Sequence, residues 1–164
     1  QFLPAVHAFL QEENLLVNSF FQLSDEPQPE HLADYQAARV LLRELAVNLI
    51  DNAVKYTPAG GRVTVRTRAT DFAVLEVEDD GPGIPDNERE LVFERFYRVL
   101  GNDAPGSGLG LAIVREIADL HLGSVQLKPS PSGRGTLAQV VFPRRRFTVS
   151  ALLAQSPEKF QPTL

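Results

Sequence analysis

Apolar residues recur at helical spacing from about Ala33 to Tyr56, in "ADYQAARVLLRELAVNLIDNAVKY". Leu42, Leu45 and Leu49 share one stripe, Ala and Leu favour helix, and Thr57-Pro58-Ala59-Gly60-Gly61 stops it. The pattern then changes period. "RVTVRTRA" and "FAVLEVED" alternate as half-buried strands do, and Thr70-Asp71 joins them as an antiparallel hairpin. "DNERELVFERFYRV" reads as a helix and its exit, and "LGLAIVREIADLHLG" as a second helix ended by Gly123. Two last strands, "SVQLKP" and "TLAQVVFP", flank the turn "SPSGRG". At the other end, "LPAVHAFLQEENLL" reads as a short helix, "LVNSFFQLSDEP" as a strand and "EPQPEH" as a turn or linker. Periodicity fades after Pro143, and no internal repeat is visible. Helices alternating with hairpin-connected strands predict an α+β fold, a two-layer sandwich rather than a doubly wound parallel sheet.

Composition narrows the class. With 164 residues, 43% hydrophobic and 23% charged, the chain suits one domain with a real core. It starts at Gln1 without an initiator Met, so it reads as a fragment of a longer protein. No run approaches the roughly 18 apolar residues of a membrane helix. The absence of Cys excludes disulfides and thiolate chemistry. A formal net charge of −5 argues against broad nucleic-acid binding, so an anionic ligand needs local donors.

Three stretches could supply them. On the long helix, Asn48, Asn52, Lys55 and Tyr56 fall near one face while the leucines occupy another. A solvated polar stripe is one reading. A nucleotide site is the other, because Asn has poor helix propensity and an amide oxygen is a hard ligand for Mg²⁺. Lys adds a charge for phosphate and Tyr a flat face for a base. In "GSGLGLAIV", Gly106, Gly108 and Gly110 permit close backbone approach at a helix start, where free N–H groups favour phosphate. It is neither a GxxxxGK[ST] loop nor a GxGxxG fingerprint. In "VEDDGPGIPD", Asp79 ends a strand beside Gly81 and Gly83. This is either a solvated hairpin tip or a carboxylate acceptor suited to an exocyclic amino group such as adenine's. Thr136, on a later strand, could add a hydroxyl.

Taken in order, these stretches resemble a known family. "ELAVNLIDNAVKYTP" resembles the N box of bacterial sensor histidine kinases, "DDGPGIP" the G1 box, "FERFYR" the F box and "GSGLGLAIV" the G2 box. "SGRGTLAQVVFP" resembles the last glycine box and its strand, and the likeness runs from about Arg43 to Pro143. The resemblance implies the Bergerat ATP-binding fold, a mixed sheet with helices on one face and ATP held between a helix and a mobile lid. By match to the boxes, Asn52 is the Mg²⁺ ligand, Asn48 supports metal and phosphates, Lys55 contacts a phosphate and Tyr56 packs on the adenine. Asp79 bonds the adenine amino group, with Gly81 and Gly83 shaping that wall. Gly106, Gly108, Leu109 and Gly110 carry the phosphate-facing turn, Thr136 completes the base site, and "RVLGNDAPGS" is the lid. Arg95 or Arg98 is the candidate for the γ-phosphate, with Arg98 grouped with Asn48 and Lys55 as catalytic.

The implied activity is a protein-histidine kinase of a two-component signal transduction system, with ATP and Mg²⁺ as cofactors. His7, His31 and His121 lack the acceptor pattern of the family and read as surface or packing residues. The phosphoacceptor is therefore expected on a separate dimerisation domain, and a response regulator further downstream. The expected layout is a catalytic ATP-binding domain over 1–146 and a tail of unknown role over 147–164. It is expected in the cytoplasm, the parent protein lying in the bacterial inner membrane. Rival readings are a related ATPase of the gyrase, chaperone and mismatch-repair kind, a nucleotide-dependent docking module, and a structural domain with coincidental motifs. The ATPases place Glu where Asn48 stands, to activate water.

Overall fold

The computed structural model describes residues 32–69, 72–99 and 106–143. It begins with the long helix α1 (Leu32–Tyr56). Leu45, Ala46, Leu49, Ile50 and Ala53 recur at helical spacing and form its buried stripe. The helix stops where expected: Thr57 donates both its N–H and its hydroxyl to Ala53 O, at 3.0 and 2.7 Å. Pro58 has no N–H with which to continue the ladder.

The hairpin expected next is present, as β1 (Val63–Ala69) paired antiparallel with β2 (Phe72–Asp79). After the second helix, α2 (Gly110–Leu120), come β3 (Ser124–Pro129) and β4 (Thr136–Pro143), the two strands read from the pattern. The sheet order is β1-β2-β4-β3, and every pairing among the described strands is antiparallel. The mixed sheet that the resemblance implies is thus not seen in these four strands. The expected helix and strand before residue 31, and the Thr70-Asp71 turn, lie outside the described residues.

Alternation along the strands separates two faces. Ala73, Leu75 and Val77 of β2 and Ala138, Val140 and Phe142 of β4 join the stripes of α1 and α2 in one core, so both helices cover the same face. Each fully buried Leu or Val there contributes about 1.5–3 kcal/mol. The other face carries a polar ladder: Arg66 to Glu78 (2.7 Å), Arg68 to Glu76, Gln139 to Glu76 (2.7 Å) and Lys128 to Gln139 (2.8 Å). The result is the two-layer α/β sandwich.

Two local expectations need correction. "DNERELVFERFYRV" is not a helix but two 3₁₀ turns, Asp86–Glu88 and Leu91–Phe93. So short a segment is a marginal helix alone, and tertiary bonds hold it otherwise. Tyr97 Oη donates to Glu88 (3.0 Å), Arg89 Nε to Ile84 O (3.2 Å) and Arg115 of α2 to Glu90 (2.7 Å), with the Arg115 guanidinium 3.8 Å from the Phe93 ring centroid. Phe96, at φ 69°, turns the chain out of any helix and donates its N–H to Gly108 O at 2.9 Å.

The second correction concerns the end of α2. The left-handed residue is Leu122 (φ 59°), not Gly123. Gly123 N–H reaches Ala118 O (2.8 Å) and Leu122 N–H reaches Asp119 O (2.9 Å), a Schellman closure. Glycine stands at 123 for room: a Cβ there would lie 2.7 Å from the Phe142 ring and 2.8 Å from Val141 O.

Candidate functional site

The strand order decides where the chemistry meets. Because Glu78 pairs with Leu137, the C-terminal end of β2 lies beside the start of β4, bringing Asp79 to Thr136 across 57 residues of chain. Asp79 Oδ1 accepts the Gly81 N–H at 2.9 Å and the Thr136 N–H at 3.2 Å. Burial pushes the Asp79 carboxyl above its ordinary range, opposed by those two bonds and aided by the charges of Asp80 and Glu78. The adjacent Asp80 has a different task. Its Oδ1 accepts Arg62 N–H at 2.9 Å and fastens the entry to β1. Of two neighbouring carboxylates, one lines the cavity and the other holds a turn.

The end of α1 forms a second wall. A Cβ on Gly81 would lie 2.6 Å from Tyr56 O, so only glycine lets the turn after β2 sit on the helix end. Lys55 Nζ lies 5.0 Å from the Tyr56 ring centroid and packs directly against Gly106. Asn48 Nδ2 donates to Glu44 O at 2.9 Å, which turns its Oδ1 towards Gly110. A Cβ on Gly110 would stand 3.1 Å from that oxygen and 3.3 Å from Asn52 Nδ2, so the start of α2 approaches both amides closely.

Gly108 adds the third wall. At φ 71° its absent Cβ would be 2.8 Å from the Phe96 carbonyl carbon, and the Phe96–Gly108 bond joins the chain entering and leaving the expected lid. Residues 100–105 of that lid lie outside the described residues. These walls enclose a cavity of about 280 Å³, lined in part by Asn48, Asn52, Lys55, Tyr56, Asp79 and Thr136.

Residues 37–146 match the family described as "Histidine kinase-, DNA gyrase B-, and HSP90-like ATPase". The chain belongs to this family. A signal transduction histidine-protein kinase/phosphatase MprB from Mycobacterium sp. (strain KMS) is 50% identical over 113 residues, 65% of this chain and 22% of that protein. The MprB of Mycobacterium ulcerans (strain Agy99) is 47% identical over 124 residues, 72% of this chain and 24% of that protein. The chain thus spans less than a quarter of the length of these curated relatives. Among solved structures, a mycobacterial sensor histidine kinase MprB superimposes with a TM-score of 0.58 at 43% identity, over 66% of this chain and 74% of that one. Full-length ShkA in complex with AMPPNP gives 0.56 at 32% identity, over 64% of this chain and 22% of that one. The fold is that of histidine kinase catalytic domains.

Against the family boxes, the N-box residues Asn48, Asn52, Lys55 and Tyr56 all line the cavity, as do Asp79, Gly83, Gly106, Gly108, Gly110 and Thr136. Arg98 lines it too. Arg95 does not: it is exposed and paired with Glu116 of α2 at 3.1 Å. Gly81 and Leu109 stand behind the lining, Gly81 as the buried contact to Tyr56 and Leu109 as the residue that opens α2.

The family motifs missed several lining residues. Asp51 neighbours Asn52, and its spacing from Asn48 and Lys55 on α1 was a usable signal. Val77, Ile84, Val92, Leu111, Leu127 and Ala138 give the apolar lining, which no local pattern could assign to a cavity rather than to the core. His121, read as a surface or packing residue, packs edge-on against Phe142, with ring centroids 6.4 Å apart.

Proposed function

We propose that this chain binds ATP in the cavity and presents its γ-phosphoryl group to a histidine on a dimerisation domain of the parent sensor kinase. The observation that carries the reading is the convergence in one cavity of the α1 amides and ammonium, the Asp79 carboxylate and the glycine-rich start of α2. AMPPNP bound by the structural relative ShkA supports a nucleotide as the ligand.

Each residue's chemistry suggests its part. Asp79 uses Oδ1 for Gly81 and Thr136, so Oδ2 remains for an amino group on the base, favouring adenine over guanine, which presents a carbonyl there. Tyr56 and the apolar lining face the base. Lys55, Arg98 and the free N–H groups at the start of α2 hold the phosphates. The donor set also fits Mg²⁺: the Asn52 amide offers a hard oxygen near the phosphate end, and a bound Mg²⁺ supplies charge neutralisation there. The protein's contribution is then mostly positioning and electrostatic stabilisation.

Asn48 separates transfer from hydrolysis. An amide cannot take a proton from water as a glutamate does, and Asn48 Nδ2 is committed to Glu44 O. On this reading the acceptor histidine belongs to another domain: His7, His31 and His121 lack the family's acceptor pattern, and His121 is packed against Phe142. The phosphoryl group would pass on to a response regulator, in a parent protein anchored in the bacterial inner membrane. Among the described residues no helix is long and apolar enough to cross a membrane.

The test is to mix this chain with ATP, magnesium and the histidine-bearing dimerisation domain of a relative. Acid-labile phosphate on that domain is the expected result. Release of inorganic phosphate without labelling would identify a hydrolase instead.

A further inference from the structure

The turn "SPSGRG", between β3 and β4, is fastened to the end of β2 on both faces of the sheet. On the cavity face Thr136, the first residue after the turn, donates its N–H to Asp79. On the opposite face the fastening is Ser130, only 4% exposed, whose Oγ donates to Glu78 Oε1 at 2.6 Å. Glu78 is held from its other side by Arg66 at 2.7 Å. Hydrogen bonds from Ser130 and then Arg66 keep the Glu78 carboxyl below its ordinary range, so the acceptor is ionised at neutral pH.

Ser130 also organises the turn itself. Its Oγ accepts the Ser132 N–H at 3.1 Å and lies 2.7 Å from Ser132 Oγ, while Ser132 Oγ donates to Arg134 O at 3.0 Å. Its backbone N–H reaches Gly135 O at 3.1 Å. Gly135, at φ 96°, presses on the backbone of Asp79 and Asp80, where an added Cβ would stand 2.6 Å from the Asp79 carbonyl carbon. Gly135 directly precedes Thr136, so the turn and the Thr136–Asp79 bond are joined through it.

We propose that Ser130 and Glu78 are positioning residues for base recognition: their bond behind the sheet sets the turn that carries Thr136 N–H to Asp79, and so fixes the carboxylate that selects adenine. The inference rests on the nucleotide reading above and adds residues outside the cavity to it. With the fastening gone, Asp79 keeps Gly81 but loses a bond that limits its rotation. Ordering the carboxylate then falls to the binding step.

The test uses the 164-residue chain with Ser130→Ala, Glu78→Ala, the double variant and Glu78→Gln, which keeps an acceptor for the Ser130 hydroxyl. Amide exchange in nucleotide-free protein and calorimetry with ATP and GTP are read side by side. Ser130→Ala and Glu78→Ala should each speed exchange at Thr136 and weaken ATP by about two- to ten-fold, the scale of one net hydrogen bond. Both should shrink the preference for ATP over GTP. Glu78→Gln should stay near wild type, and the double variant should be no worse than the stronger single one.

A lower melting temperature with unchanged exchange at Thr136 and an unchanged ATP:GTP ratio would overturn the proposal, leaving Ser130 a structural residue only. Strictly additive effects in the double variant would overturn it too. If wild type binds neither nucleotide, the function proposed above fails. The exchange data then still decide whether Ser130 sets Thr136, and the assignment to base recognition is withdrawn.

Discussion

Replacing Asp79 by asparagine separates recognition from folding. The amide oxygen of the new side chain can accept both N–H groups that Oδ1 accepts now, from Gly81 at 2.9 Å and Thr136 at 3.2 Å. Its NH₂ group then occupies the Oδ2 position and meets the amino group of adenine, donor against donor. The loss of one hydrogen bond to a charged acceptor is worth about 1.5–3 kcal/mol, or about ten- to 150-fold in Kd for ATP. GTP should gain relative to ATP, because the guanine carbonyl now faces a donor.

Stability should move the other way. The folded Asp79 carboxyl titrates above its unfolded value because of burial. Its contribution is fully present below the unfolded pKa, about 3.9, and is lost as pH rises through the folded pKa. At neutral pH the wild type therefore carries a half-buried charge that the variant lacks, and Asp79→Asn should melt at or above the wild-type temperature. The assay is calorimetric titration with ATP and GTP beside thermal melts at about pH 7.5, well above the ordinary carboxylate range. Unchanged ATP affinity would refute the recognition role. A collapsed melting temperature would refute the claim that the two N–H bonds are retained.

Further outcomes follow from the same geometry. Asn52→Ala should abolish the magnesium-dependent part of ATP binding and leave the melting temperature nearly unchanged, because Ala suits a helix better than Asn; titrations with and without magnesium check it. Gly110→Ala should lower nucleotide affinity by forcing the Asn48 and Asn52 amides from a Cβ only 3.1 and 3.3 Å away, while its helix propensity favours folding by up to about 1 kcal/mol. Leu122→Gly should relieve the left-handed backbone at φ 59° and raise stability by about 1 kcal/mol, measured by urea unfolding. His121 is held below its ordinary pKa by burial, and its Nε2 is buried without a hydrogen-bond partner among the described residues. Its contribution is present above the unfolded pKa of about 6.5 and is lost as pH falls towards the folded value. The wild type should therefore lose stability relative to His121→Leu between about pH 7.5 and about pH 5, a window that brackets that unfolded value. A constant gap between their melting temperatures would count against this.

Local regularities along the chain were enough for much of this architecture. The period of apolar positions marks α1, α2 and the four strands, because burial on one face imposes 3.6- or 2-residue spacing whatever the rest of the molecule does. Thr57-Pro58 ends α1 by chemistry confined to one turn. The order of the boxes named the family, and with it the cavity-lining Asn48, Asn52, Lys55, Asp79 and Thr136. Features that depend on distant partners were beyond local reading. Residues 86–98 have helix-like composition, yet Arg115, Gly108 and Ile84 hold them in turns. Gly123 looks like a left-handed cap, but it is glycine because the Phe142 ring fills the space its side chain would need. The two carboxylates of "EDD" that follow Glu78 are alike in sequence. Only the β2–β4 register, with the turn folded over it, sets Asp79 against Thr136 and leaves Asp80 to Arg62. Local spacing selects the elements, but which side chains come within hydrogen-bonding distance depends on register and packing, where a shift of one residue exchanges the two faces of a strand.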